Sequence, residues 1–179
     1  MPHYRKYGKI ATPITEEEFK KGMDTGHFVS KKHRGFCVLL YYTAVRKMEA
    51  LRALREQFTL EPEAILFDVG KRLKKQKAWF KETPPLKLGF TAPFIEDLKE
   101  AIEHTRSKRR VFPYCPKTGY NIVARVFKYP HLFRLTRITW FFEHKWPISK
   151  VRSWSGLSLR ALEYYVGIVD IREMGEDLR

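Results

Sequence analysis

The chain has 179 residues, the length of about one domain. Hydrophobic residues make up 44% and charged residues 31%, which supplies a sizeable core and excludes a purely linker-like chain. The 35 Lys and Arg against 20 Asp and Glu leave a formal charge of +15, a field that attracts polyanions, either nucleic acid or an anionic membrane surface.

Residues 1–14 read as a basic, aromatic arm that ends at Thr12-Pro13. Thr15 with Glu18 three residues on is a capping box and predicts a short helix to about Lys21, broken between Gly22 and Gly26. Ser30 can cap a second helix whose later turns, Phe36 to Tyr41, are apolar all round and therefore central to the core. Val45, Met48, Leu51 and Leu54, spaced by threes, predict a further helix over Ala44 to Arg55. After the break at Glu61-Pro62-Glu63, Ala64 to Val69 reads as a strand. The lysine-rich turn Gly70 to Lys77 leads to a returning strand at Ala78-Trp79-Phe80, and Leu86-Lys87-Leu88 reads as a third short strand. Helices resume at Pro93 to His104. A basic, proline-bearing linker follows over 107–117, in which Lys108-Arg109-Arg110 reads as a solvated or phosphate-contacting loop. Further helices are predicted over Thr118–Phe127, His131–His144, Ile148–Ser153 and Leu159 to about Val166, with Gly167 and Gly175 breaking a charged tail. The predicted class is mainly α with a small antiparallel β-hairpin or sheet insert, divided into an arm (1–14), a domain (15–166) and a tail (167–179).

Several kinds of chemistry have no support. Gly70-Lys71 lacks the upstream glycine and the following hydroxyl of a phosphate-binding P-loop, and no G-x-G-x-x-G occurs. The six histidines are scattered, with no H-E-x-x-H or carboxylate cluster to hold a metal. No apolar run approaches the roughly 18 residues of a membrane helix, and Met1 to Arg5 does not open a signal peptide. Cys37 and Cys115, far apart and in no CxxC, fit a reduced, cytoplasmic setting. One asparagine and two glutamines among many ion-forming side chains fit a heat-adapted source.

One set of segments lines up. Arg46 and Glu49 lie three apart on one helix face, as do His131 and Arg134. The lysine-rich turn falls between the two pairs, and Trp154-Ser155-Gly156 and Glu163-Tyr164-Tyr165 follow. This order resembles the catalytic domain of the tyrosine recombinase, or phage integrase, family. The resemblance assigns Arg46 to the first arginine, in the place where the family reads T-G-L-R-x-x-E-L, with Ala44 replacing its glycine. It assigns Lys71 to the hairpin lysine, with Lys74, Lys75 and Lys77 as alternatives. His131 and Arg134 match the H-x-x-R box, Thr139 the threonine that often follows it, and Trp154 the histidine-or-tryptophan position. Tyr165 is assigned to the nucleophile, with Tyr164 as the alternative.

The residue types suit that chemistry. A phenol with a free pKa of about 10 is a weak nucleophile, and attack on a phosphodiester builds charge on the non-bridging oxygens. Two guanidiniums can grip those oxygens without losing their own charge. A histidine can donate a hydrogen bond or move a proton, and an indole N–H can donate beneath the site. A lysine can protonate the leaving 5′-oxygen, while Glu49 orients or neutralises the basic groups. The resemblance implies strand cleavage and rejoining through a covalent phosphotyrosine, with no cofactor, metal or ATP. It implies double-stranded DNA as partner and four subunits on two sites, compatible with a monomer in solution. No membrane is implied, and the setting would be the cytoplasm of a prokaryote or a virus-infected cell. Family members usually carry a further DNA-clamping domain, so this length is expected of a fragment or a minimal version. The rival readings are a non-catalytic DNA-binding protein of the same fold, a type IB topoisomerase and a basic RNA-binding scaffold.

Overall fold

The computed structural model describes residues 12–25, 28–69 and 85–177. The arm before Thr12, the lysine turn with Lys71, Lys74, Lys75 and Lys77, and the strand expected at Ala78-Trp79-Phe80 lie outside the described residues.

Eight helices and three strands follow in the order α1 (Glu16–Asp24), α2 (Lys31–Thr43), α3 (Lys47–Arg52), β1 (Phe58–Leu60), β2 (Ala64–Phe67), β3 (Leu86–Gly89), α4 (Ile95–Glu103), α5 (Pro116–Phe127), α6 (His131–Glu143), α7 (Ile148–Ser155) and α8 (Leu159–Asp177) among the described residues. The predicted class holds: a mainly helical chain with one small antiparallel sheet, in the order β1-β2-β3. Phe58 faces Phe67 across β1 and β2, their rings stacked 4.3 Å apart, and Phe67 faces Leu86 across β2 and β3.

Helix α2 is the spine. Its Ser30 cap accepts from the His33 N–H, and every residue from Gly35 to Thr43 is buried. On α4, the buried carboxylate of Asp97 accepts from the Nε and one Nη of the Arg34 guanidinium, at 2.9 and 3.0 Å. Gly35 lets the two backbones meet, because a Cβ there would stand 2.6 Å from the Asp97 carbonyl oxygen. On the other side, Phe19 of α1 stacks on Tyr41 at 3.8 Å and packs against Phe127 and Phe133. A second apolar cluster lies under α6, α7 and α8 and includes Leu135, Phe141, Leu162 and Tyr165.

Several boundaries differ from expectation. The capping box of Thr15 and Glu18 is present, but α1 runs through Gly22 to Asp24, since Gly22 is covered by the Phe127 ring instead of opening a turn. The helix expected over Ala44 to Arg55 is only α3, six residues long. Ala44 closes α2 in the left-handed region (φ 55°), and Arg46 is extended. Hydrophobic spacing runs through this break because residues on both of its sides point into the core. Strand β1 was not expected; it is too short for an alternation to register. Helix α5 begins two residues early at Pro116, where Cys115 accepts from the Thr118 N–H. Helix α8 continues through Gly167 and Gly175 to Asp177 and does not break at Val166.

The α2–α4 contact gives a stability prediction. Gly35→Ala must push the two backbones apart, and overpacking of this kind costs about 1–3 kcal/mol. Urea unfolding should show a lower midpoint with an unchanged slope.

Candidate active site

The site forms where four helices end or begin. The C-terminus of α2 and the start of α3 supply Thr43, Ala44 and Arg46. The first two turns of α6 supply His131 and Arg134, and the end of α7 supplies Trp154, Ser155 and Gly156. Terminal carbonyls of α2 and α7 have no partners within their own helices. Side chains from the neighbouring segments meet them.

Arg134 is the centre of this arrangement. Its side chain is only 2% exposed, the largest fully buried side chain among the described residues. One Nη donates to the Ala44 carbonyl and the other to the Ser155 carbonyl at 2.6 Å. Both oxygens lie at helix C-termini, where the backbone dipole carries partial negative charge and favours a cation. Burial, with the Arg46 charge nearby, lowers its pKa to about 10, so it stays protonated at neutral pH. The Trp154 indole N–H donates to the Thr43 carbonyl at 3.0 Å, one residue before Ala44.

Arg46 is more open, its side chain 45% exposed. It is the N-cap residue of α3, and Glu49 grips it twice. One carboxylate oxygen accepts from the Arg46 backbone N–H at 2.6 Å and the other from its Nη at 2.8 Å. The second Nη lies 3.5 Å from the Gly156 carbonyl. Gly156 is the left-handed C-cap of α7 (φ 63°). The guanidiniums of Arg46 and Arg134 thus reach carbonyls of two consecutive residues, Gly156 and Ser155. Arg46 lies close enough to disfavour the charge on Arg134.

Tyr165 of α8 comes to the same place. It is 5% exposed, and burial raises its pKa while Arg134 and then Arg46 pull it back. Tyr164, half-buried on the neighbouring face, instead acts electrostatically on Tyr129; the two tyrosine rings stand nearly perpendicular, 5.7 Å apart. His131 begins α6 one turn before Arg134. By surface area it is exposed, yet the protein packed around its ring opposes a charge there. Arg134 opposes it too, so its pKa is lowered, to about 4, and the imidazole is neutral at pH 7. Thr139 is fully buried farther along α6, and its hydroxyl has no hydrogen-bond partner among the described residues. Lys71 lies outside the described residues.

Sequence reasoning missed the main-chain acceptors of Thr43, Ala44, Ser155 and Gly156, because any residue can supply a carbonyl. Gly156 alone left a trace, as the glycine expected just past a helix end. Among the described residues no three His, Cys, Asp or Glu side chains gather where they could hold a metal ion, and no helix is long and apolar enough to cross a membrane. Arrangements of this kind present two fixed positive charges beside a phenol, which suits an anionic ester.

The chain has the fold of a tyrosine recombinase catalytic domain. The site-specific recombinase XerH, in a post-cleavage complex with its palindromic difH substrate, superposes with a TM-score of 0.66 at 21% identity, over 95% of this chain and 53% of that one. XerA recombinase gives 0.66 at 15% identity, over 94% and 64%. The Tn1549 transposon integrase, bound to circular intermediate DNA, gives 0.61 at 14% identity, over 93% and 65%. The chain therefore spans between about half and two-thirds of the length of these structures. No protein-family model matches the sequence, and no curated protein does.

Two measurements test this geometry. Trp154→Phe keeps the ring in place and strips the Thr43 carbonyl of its donor, which should cost about 1–3 kcal/mol in urea unfolding. For His131, the unfolded chain takes up a proton near pH 6.5 and the folded chain only near pH 4. Its contribution is thus complete above pH 6.5 and is lost as pH falls toward 4. The drop in stability between pH 7 and 4.5 should be smaller in His131→Gln than in wild type.

Proposed function

We propose that this chain is the catalytic unit of a site-specific DNA recombinase or integrase that cleaves and rejoins strands through a 3′-phosphotyrosine. The observation that carries this reading is the convergence of Arg46, Arg134 and Tyr165 from three distant stretches of sequence onto one place. The fold shared with DNA-bound recombinases supports it.

In this reading the Tyr165 oxygen attacks the phosphorus and its proton passes to a nearby acceptor, with neutral His131 the candidate. The bond to the 5′-oxygen breaks, and Lys71 protonates that oxygen. Lys74, Lys75 and Lys77 are alternative donors. Arg46 and Arg134 hold the non-bridging oxygens, where charge builds. Glu49 keeps Arg46 in place, and Trp154 fixes the end of α2 from which Arg46 departs. Rejoining is the reverse: a 5′-hydroxyl attacks the phosphotyrosine and returns the phenol. The ester bond energy is retained throughout, so no ATP is consumed.

The partner in this reading is double-stranded DNA, engaged as a tetramer on two sites. Residues 15–166 form the catalytic unit in this reading, and α8 carries on from it into the tail. The scarcity of amides continues to suggest a heat-adapted source. A second reading, a non-catalytic DNA-binding protein of the same fold, is favoured by one observation: the Nη groups of Arg134 already serve the Ala44 and Ser155 carbonyls.

The test uses nicked suicide duplexes with randomised flanks, analysed on a denaturing gel. Wild type and Tyr164→Phe should form a covalent adduct and Tyr165→Phe none. Arg46→Ala should slow adduct formation roughly 10²–10³-fold, the usual effect of removing one stabiliser of developing oxyanion charge. The converse tyrosine result would move the nucleophile to Tyr164. Absence of any adduct, with duplex binding intact, would establish the second reading.

A further inference from the structure

At the other end of α2 from the arginine pair lies a groove of about 570 Å³ lined by Lys32, Leu54, His104, Arg106 and Arg109, among others. Its wall is the loop 106–110, in which Arg106, Lys108, Arg109 and Arg110 are all exposed. No carboxylate lines it.

The region has acids, but they are engaged elsewhere. On the first turn of α2, Lys31 pairs with Glu100 at 2.9 Å and Arg34 with Asp97. Lys32 lies between them in sequence and has no ion pair; nor have Arg106, Lys108, Arg109 and Arg110 among the described residues. Five cations therefore face one concavity with no ion pair among the described residues to neutralise them, a repulsive arrangement until an anion enters.

The wall is also rigid. The Arg55 N–H donates to the Arg109 carbonyl at 2.8 Å, the Val111 N–H to the Ala53 carbonyl at 3.0 Å, and Leu54 bridges Arg110. Val111 and Phe112, next along the chain, are fully buried and anchor it to the core. Lys108 holds the left-handed conformation (φ 58°), which glycine would adopt more cheaply.

We propose that this groove grips backbone phosphates of a DNA duplex away from the ester held by Arg46 and Arg134, so that one rigid helix sets the spacing between the two contacts. Lys32 and Thr43 are 11 positions apart on α2, or about 16–17 Å at 1.5 Å per residue. At about 3.4 Å per base pair that is about five base pairs, half a turn of duplex. The inference rests on the DNA-binding part of the proposed function and not on its chemistry.

The experiment measures the salt dependence of binding to a labelled 30-base-pair DNA duplex by fluorescence anisotropy. Each phosphate contact contributes about 0.9 to the slope of log K against log salt. In the triple variant Arg106→Ala/Arg109→Ala/Arg110→Ala the slope should become shallower by about 2–3. The control Lys20→Ala/Lys21→Ala/Lys99→Ala removes the same charge elsewhere and should change it by less than 1. All the substituted side chains are at the surface, so thermal midpoints verify folding. Equal effects of the two triples would show a mere net-charge effect and overturn the proposal, as would an unchanged slope in the groove variant. A loss confined to a 30-base-pair RNA duplex would identify a different occupant and also overturn it. The adduct assay is read separately: wild type that binds DNA with the full slope but forms no adduct removes the catalytic reading and leaves the groove supported.

Discussion

A single buried guanidinium holds the site together. Arg134 leaves α6 and joins the last carbonyl groups of α2 and α7, which would otherwise be orphaned inside the protein. Removing a buried charge's partners, or the charge itself, typically costs several kcal/mol. Three helices thus depend on one side chain for their relative positions. The same bond fixes Ala44, two residues before Arg46, so the direction in which Arg46 leaves the backbone is set by Arg134 as well. Trp154 reinforces this through the preceding carbonyl. Lysine could not replace the arginine here, since one ammonium lacks the planar fork that spans two acceptors from different helices.

Helix α2 carries that local order across the molecule. Its middle is buried all round and welded to α4 at Gly35 and through the Arg34–Asp97 pair. Its C-terminus presents carbonyls to the site, and its N-terminus presents Lys32 to the basic groove. A helix held so firmly along its length behaves as a ruler. Charge is distributed accordingly: at the site Glu49 offsets one of two arginines, whereas in the groove no ion pair among the described residues offsets the cations.

The fold class was readable because its determinants are local. Thr15 with Glu18 and Ser30 before an apolar run are start signals that work within one turn, and the structure shows both caps. Features governed by distant contacts were not readable. Ala44 in a left-handed conformation breaks a pattern that spacing reads as one helix, and the bonds that hold it and Arg46 come from residues 90 and 110 positions away, respectively. Gly22 and Gly167 looked like breaks, yet both lie within helices, Gly22 because an aromatic ring fills the space where its side chain would be. At the site, sequence order named the side chains that converge, Arg46, Arg134, Trp154 and Tyr165. It could not say that the indole and the buried guanidinium would bind backbone before any substrate arrives.

That prior engagement bears on how the proposed reaction would be timed. Burial raises the Tyr165 pKa even though two guanidiniums lie near enough to lower it, so desolvation outweighs their attraction. A resting phenolate is therefore disfavoured. In the proposed reaction a phosphodiester near Arg46 and Arg134 would bring a negative charge of its own, which further opposes ionisation of the phenol. Proton loss would then accompany attack, as the charge moves from the tyrosine oxygen onto the phosphoryl oxygens. In the proposed reaction His131, neutral at pH 7, is free to take the proton, and the negative charge of the incoming phosphate would favour its protonated form.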